Sequence, residues 1–269
     1  MKNWGSALGR VAVIVGIYFA WFFAVTTLIF DYIAPNSEWF QQNTLIVIIL
    51  NDIVGFPLMY FAFKLIFKKN MFELARYRKM DKSAVGLSLW VGLGAGLFTA
   101  AFSQLPFIRN EHPQFNDLFD YLNRADWYVF LVFLLLGNIY KETLFRGVLL
   151  NEFKRISPLA VAIVIQGLLY GALFFFGDIP LSMYGFLGAV IFAILYVWFD
   201  SIWAPIAAQV ACQGLQYILW HIGPKSDNVT SLSIVMAVSA CIIASGLFWA
   251  ARHRRKLGVA TAGGKEVHA

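Results

Sequence analysis

Charged residues are scarce in this chain, since Asp, Glu, Lys and Arg make up 13% of its 269 residues while apolar residues make up 60%. A soluble globular domain carries about 25% charged residues, because its surface has to interact with water. The low charge therefore excludes an ordinary water-soluble protein and indicates that lipid surrounds most of this chain.

Cysteine is also rare. The sequence contains two cysteines, Cys212 and Cys241, and both fall inside the predicted membrane spans described below. That position argues against a structural disulfide. We interpret both thiols as small apolar side chains that fill space between helices.

Apolar runs of about 20 residues recur along the sequence and predict eight transmembrane helices, because each run can cross a hydrocarbon core of about 30 Å at about 1.5 Å per residue. The first run is followed by no small-x-small cleavage site, so it predicts a retained helix and not a signal peptide. The predicted fold class is an all-α polytopic membrane protein. The eight runs cover residues 11–30, 44–67, 84–104, 127–153, 158–176, 181–199, 202–220 and 232–250.

The basic residues predict the orientation of the chain. With a cytoplasmic N-terminus, the outer loops hold only Arg109, Arg124 and Lys225, and the inner segments hold Lys2, Arg10, the basic elbow 64–84, Lys154, Arg155 and the tail 252–265. This bias follows the positive-inside rule and predicts a plasma-membrane protein with both termini in the cytoplasm. It also accounts for the net charge of +6. We therefore expect the lipid bilayer as a partner and no nucleic acid.

Three parts are expected along the chain. Residues 1–126 would form three transmembrane helices with the basic elbow and an outer loop. Residues 127–221 would form a core of four helices, and residues 222–269 the last helix and a basic tail. The elbow could be a short helix on anionic headgroups, or it could serve only as an orientation signal.

The segment NIYKETLFRGVLL places Lys141, Glu142 and Arg146 inside a predicted span. A charge near the centre of a bilayer costs at least about 2.5 kcal/mol, so such a group normally indicates a site. Glu142 and Arg146 are four residues apart and can pair on one helix face. Lys141 points about 100° away from Glu142 and needs another partner. Asp52, next to Asn51 in the second span, is the candidate, and a water-filled cavity around Lys141 is the alternative.

A second polar group lies in the seventh span. Gln209, Gln213 and Gln216 are spaced as one stripe along a helix face. Amide side chains of this kind often form hydrogen bonds between transmembrane helices. The stripe therefore predicts a structural contact unless another feature points to chemistry.

Three sequence segments, KETLFRG, GLLYGALF and DSIWAPIAAQVACQ, resemble the three successive motifs of the CPBP family. This family groups type II CAAX prenyl endopeptidases with bacteriocin-processing and Abi membrane proteins. Its motifs read Glu-Glu-x-x-x-Arg, Phe-x-x-x-His and His-x-x-x-Asn. Glu142 matches the second Glu and Arg146 the Arg. At the other positions, Lys141 replaces the first Glu, Tyr170 the Phe, Phe174 the first His, Gln209 the second His, and Gln213 the Asn.

The resemblance implies a membrane-embedded fold with a cavity among helices four to seven. It also implies a glutamate-type endopeptidase in which Glu, assisted by His, activates water while His and Asn stabilise the oxyanion. A general base must be able to accept a proton, which the Lys141 ammonium cannot do, and the Phe174 ring offers no acceptor. Only Gln209 and Gln213 could still donate to an oxyanion.

No metal site and no cofactor are expected, because none of the histidines, His112, His221, His253 and His268, falls at a motif position. We therefore predict a non-catalytic scaffold or regulator of a membrane or envelope partner, or a protein of the bacteriocin-immunity type. The main alternative is an active endopeptidase that uses Glu142. A lysine-assisted Ser or Thr nucleophile is a further one, although no motif places such a residue near Lys141.

Overall fold

The structure, a computed structural model, describes residues 4–65, 68–175 and 178–256. Within these ranges the chain consists of helices joined by short turns and contains no strand. The predicted all-α class of a polytopic membrane protein is thus confirmed. Parts of the predictions that concern 66–67, 176, Lys2, Lys265 and His268 lie outside the described residues.

The described part of the chain contains thirteen α-helices. Other helical turns extend one of them and join two others. α1 continues through a π-helix (Ile29–Ile33) into a 3-10 turn (Ala34–Asn36), and a second π-helix (Thr143–Leu149) joins α8 to α9. The α-helices are α1 (Trp4–Leu28), α2 (Glu38–Gln42), α3 (Ile46–Leu65), α4 (Met71–Leu74), α5 (Lys82–Phe102), α6 (Pro106–Glu111), α7 (Pro113–Asn123), α8 (Trp127–Glu142), α9 (Leu150–Ile156), α10 (Leu159–Phe175), α11 (Ile179–Phe199), α12 (Trp203–Ile222) and α13 (Val229–Lys256).

Six helical stretches in the described ranges are long and apolar enough to cross a membrane: Trp4–Asn36, Ile46–Leu65, Lys82–Phe102, Trp127–Ile156, Ile179–Phe199 and Val229–Arg255. The predicted count of eight is therefore not confirmed. Of the two remaining runs, α10 has 17 residues and is shorter than a typical span. α12 has 20 residues, but its glutamines make it less apolar than the six.

α12 lies near the middle of the helix packing. It contacts α5 on one side and α8 and α11 on others, while α13 covers the outer side of α5 and α10 packs against α11. Gly92 and Gly96 of α5 allow the closest of these approaches, because a Cβ at Gly92 would overlap the Ala208 carbonyl and one at Gly96 would lie 2.6 Å from the Cys212 oxygen. Small residues therefore bring the backbone of α12 against α5, as expected for membrane helices.

The basic elbow contains one short helix, α4, and packs against the helices beside it. α4 is only 4 residues long, and Met71 and Ala75 in this segment are fully buried. Ala75 packs against Gly147 of the second π-helix, and Arg76 forms an ion pair with Asp200 at the end of α11. The elbow therefore packs inward beneath the predicted motif core.

Candidate functional site

The candidate site is built where α8 changes into the second π-helix. Glu142 is the last residue of α8, and Arg146 lies within the π-helix Thr143–Leu149. π-helical turns are rare among helices as a whole, and those that do occur often lie at functional sites. The helix is thus irregular at the segment that carries the charged residues.

Glu142 is completely buried and holds two hydrogen bonds on one oxygen. Its Oε1 accepts a hydrogen bond of 2.8 Å from Nη1 of Arg146 and another from Nε2 of Gln209 on α12. Both charged side chains are 0% exposed. The ion pair expected from the four-residue spacing is therefore present, and an amide from a distant helix joins it. The second carboxylate oxygen, Oε2, has no hydrogen-bond partner among the described residues.

Arg146 is held on its other sides by α10 and α11. Its Nη2 donates a hydrogen bond of 3.2 Å to the carbonyl of Ala189. The guanidinium carbon lies 5.2 Å from the ring centre of Tyr170 and 5.7 Å from that of Phe192. Aromatic faces attract cations at this distance, and the attraction is stronger where water is excluded. One buried arginine thus connects the π-helix, α10, α11 and, through Glu142, α12.

A second polar contact joins α8 to α12 one turn away. Nδ2 of Asn138 donates a hydrogen bond of 2.8 Å to Oε1 of Gln213. Asn138 precedes Glu142 by four residues and Gln213 follows Gln209 by four, so the two antiparallel helices carry matched polar residues about 6 Å apart along their axes. The glutamine stripe therefore does form hydrogen bonds between helices. Sequence reasoning missed Asn138, although its spacing from Glu142 places both on one face of α8.

Phe174 lies among aromatic rings where the family motif has a histidine. Its ring centre is 4.9 Å from that of Tyr170, 5.5 Å from Phe145 and 6.4 Å from Tyr18. These rings form an apolar cluster between α1, α10 and the π-helix. The position contributes packing in this chain and offers no group that could accept a proton.

Lys141 and Asp52 do not form the direct ion pair that we considered from the sequence. Lys141 is a partly buried residue, and its ammonium lies 5.6 Å from the ring centre of Phe133. Oδ1 of Asp52 accepts a hydrogen bond of 3.1 Å from Asn51 Nδ2, and Oδ2 has no hydrogen-bond partner among the described residues. A Cβ at Gly137 would lie 3.4 Å from this Oδ2. The carboxylate thus lies beside α8 one turn before Lys141, close to the lysine side chain but not bonded to it.

Two cavities of the structure lie away from these motif residues. One, of about 180 Å³, is lined by residues of α5, α6, α7 and the end of α12, and includes Arg109, Gln216 and Lys225. The other, of about 510 Å³, lies between α5 and α13. Neither is lined by Glu142, Arg146 or Gln209, so the structure does not place these two cavities at the position implied by the family resemblance.

The described residues hold no group of three or more His, Cys, Asp or Glu that could bind a metal ion. The arrangement at Glu142 can fix helices through buried charge and hydrogen bonds. Hydrolysis at this arrangement would require water and a substrate to come into contact with Oε2 of Glu142.

Comparison with known proteins agrees with the motifs. Residues 123–215 match the family model described as type II CAAX prenyl endopeptidase Rce1-like, and this range contains all the motif positions named above. No curated protein and no solved structure gives a significant match to the chain. This segment is therefore similar to the CAAX-protease-like integral membrane proteins of the CPBP family.

Proposed function

We propose that this protein uses the CPBP fold without its hydrolytic chemistry, as a membrane scaffold or regulator. The observation that carries the proposal is the engagement of Glu142. Its Oε1 is bonded to both Arg146 and Gln209 in a fully buried position. A carboxylate held in this way acts as a structural anion that neutralises the buried arginine.

The groups around Glu142 support this function. Peptide hydrolysis needs a base that accepts a proton from water and donors that face the developing oxyanion. The amide of Gln209 donates to Glu142, so this donor is directed at a carboxylate of the protein. Phe174 supplies an aromatic ring, and Lys141 in its ammonium form supplies a positive charge. A base and its assisting imidazole are therefore missing at the positions where the family motifs have them.

A second candidate function rests on a specific atom. Glu142 Oε2 has no hydrogen-bond partner among the described residues. An acceptor atom that is free in this way could activate a water molecule if the helices opened to admit one. Because of this atom, we retain an intramembrane CAAX-type endopeptidase as the alternative function.

Peptidase assays separate the two functions. The full-length protein, purified in detergent, is incubated with a farnesylated CAAX peptide, and the products are analysed by mass spectrometry. The matched variant is Glu142→Gln, which keeps the size of the side chain and one acceptor oxygen but removes the charge and the proton-accepting carboxylate. We expect no cleavage above the level of this variant and no stoichiometric zinc. Cleavage by the wild type that Glu142→Gln abolishes would establish the enzyme instead.

The setting of the protein is part of the proposal. The distribution of Lys and Arg favours the plasma membrane with both termini in the cytoplasm. A scaffold or immunity-type protein requires a membrane or envelope protein as partner. Affinity purification of the tagged chain in mild detergent, followed by mass spectrometry, should recover such a protein in stoichiometric amounts. Recovery of the chain alone would contradict the scaffold function.

A further inference from the structure

The end of the bundle formed by the start of α5 and the end of α13 contains a groove that the proposed function does not use. The two helices touch closely near Gly246, where a Cβ would lie 2.6 Å from Val91 Cγ2 and 3.0 Å from Trp90 Cδ1. Beyond this contact a cavity of about 510 Å³ opens between them. We call it the α5–α13 groove. It is lined by Ser83, Gly86, Leu87, Trp90, Trp249, Arg252 and His253.

The walls of the groove are apolar and face outward. Trp90 is 48% exposed and Trp249 is 55% exposed, one from each helix. The Nε1 of Trp90 donates a hydrogen bond of 3.1 Å to Ser245 Oγ, so the polar edge of this indole is already satisfied. Its ring is left as an apolar surface. In a membrane-spanning helix pair, an exposed surface of this kind lies against lipid, and tryptophans are typical of the depth where acyl chains meet headgroups.

The mouth of the groove is positively charged. The guanidinium of Arg252 lies 4.4 Å from the ring centre of Phe248 and 5.4 Å from that of Trp249. Among the described residues Arg252 has no ion pair with a carboxylate. Its N–H groups remain able to bind an oxyanion, and guanidinium is well suited to phosphate.

Asp81, an acidic residue at this end of the bundle, already has hydrogen-bond partners. Asp81 accepts a hydrogen bond of 2.9 Å from His253 and caps the start of α5 by accepting one of 3.0 Å from the backbone N–H of Ala84. It forms no ion pair with Arg252 among the described residues. The groove thus presents an apolar channel that ends at a free guanidinium group.

We propose that the α5–α13 groove binds an anionic phospholipid, with the phosphate on Arg252 and an acyl chain along Trp90 and Trp249. A phosphatidylcholine molecule fits less well, because its quaternary ammonium adds a positive charge beside Arg252 while Asp81 is engaged with His253. A basic residue at a membrane surface changes the affinity for anionic lipid about fivefold. This inference does not depend on whether the motif site is catalytic.

The test measures lipid binding to the full-length protein in detergent by native mass spectrometry and by the shift in Tm. The probes are phosphatidylglycerol and phosphatidylcholine with identical acyl chains. We expect phosphatidylglycerol to remain bound and to raise the Tm, and phosphatidylcholine to do neither. Arg252→Gln should weaken phosphatidylglycerol binding about fivefold.

Two further variants make the test specific. Arg254→Gln is the matched control, because Arg254 lies 5.4 Å from the ring centre of Trp198 and does not line the groove. It should bind phosphatidylglycerol as the wild type does. Gly86→Leu fills the groove, and no atom lies within 4 Å of a Cβ at this position, so the helix can accept the side chain. It should reduce binding without lowering the Tm of the lipid-free protein.

Equal binding of the two lipids would overturn the proposal. Equal effects of Arg252→Gln and Arg254→Gln would also overturn it, because they would show attraction to the surface charge in general. Unchanged binding by Gly86→Leu would place the lipid elsewhere.

Discussion

Arg146→Met tests how much of the fold depends on the buried ion pair. The substitution keeps an unbranched apolar side chain in the aromatic surroundings of Arg146 but leaves the Glu142 carboxylate with only the amide of Gln209. Both charged groups are 0% exposed, so no solvent can replace the lost guanidinium. Breaking a buried pair by removing one partner costs about 3–5 kcal/mol. We expect a loss of this size in the free energy of unfolding.

The double variant Glu142→Gln/Arg146→Met distinguishes a stranded charge from lost packing. It removes both charges, so no uncompensated charge is left in the buried site. We therefore expect the double variant to recover most of the stability that Arg146→Met loses. Unfolding by SDS in mixed micelles, followed by circular dichroism, measures both variants.

Arg155→Met is the matched control for the assay. Arg155 pairs with Glu152 at 2.7 Å, but its side chain is 35% exposed and Arg10 also binds Glu152. Because Arg10 still binds Glu152 after Arg155 is removed, this carboxylate is not left unpaired, and the loss should be smaller than that of Arg146→Met. The reasoning is refuted if Arg146→Met costs no more than Arg155→Met, or if the single and double variants at the motif are equally stable.

Two other substitutions test features outside the motif. Gly92→Val should lower the free energy of unfolding by about 1–3 kcal/mol and lower the Tm, since its Cβ would overlap the Ala208 backbone. Gly16→Val is the control and should change the Tm little, because no atom lies within 4 Å of a Cβ there. The hydrogen bond from His253 lowers the pKa of the Asp81 carboxyl below its ordinary value, so its contribution is present above that value and is lost as the pH falls through the lowered pKa. The Tm advantage of the wild type over Asp81→Asn should therefore begin to shrink below about pH 4 and disappear once the pH is below the lowered pKa, and an advantage that persists there would contradict this assignment.

Hydropathy predicts most of the membrane helices because lipid imposes the same demand on every span. A segment such as 84–104 has to be apolar for about 20 residues, and the helix Lys82–Phe102 follows it closely. The same criterion is weaker for a helix surrounded by protein. α12 can carry three glutamines because its neighbours α5, α8 and α11 replace lipid around it. The number of spans is therefore harder to predict than their positions.

The partners of the polar residues could be predicted only where they lie on one helix. Glu142 and Arg146 are neighbours by helix geometry alone, so their spacing is sufficient. The bond from Gln209 to Glu142 and the inward packing of Met71 depend on how distant segments fold together. For the same reason the sequence offered Asp52 as a candidate partner of Lys141 but could not give the direction of the lysine side chain, which points towards Phe133.

The polar contacts between α8 and α12 make Glu142, Arg146 and Gln209 depend on one another for stability. Glu142 neutralises Arg146, and Gln209 satisfies the same carboxylate oxygen, so loss of any one of them leaves a buried polar group with fewer partners. The position of Phe174 has no such dependence, since a ring packed against Tyr170 requires no hydrogen bond. In a membrane interior, groups that need one another are costly to replace singly, while a group without a polar partner can become aromatic at little cost. The contacts of Glu142, Arg146 and Gln209 therefore tie these three residues together, while the packing of Phe174 is independent of them.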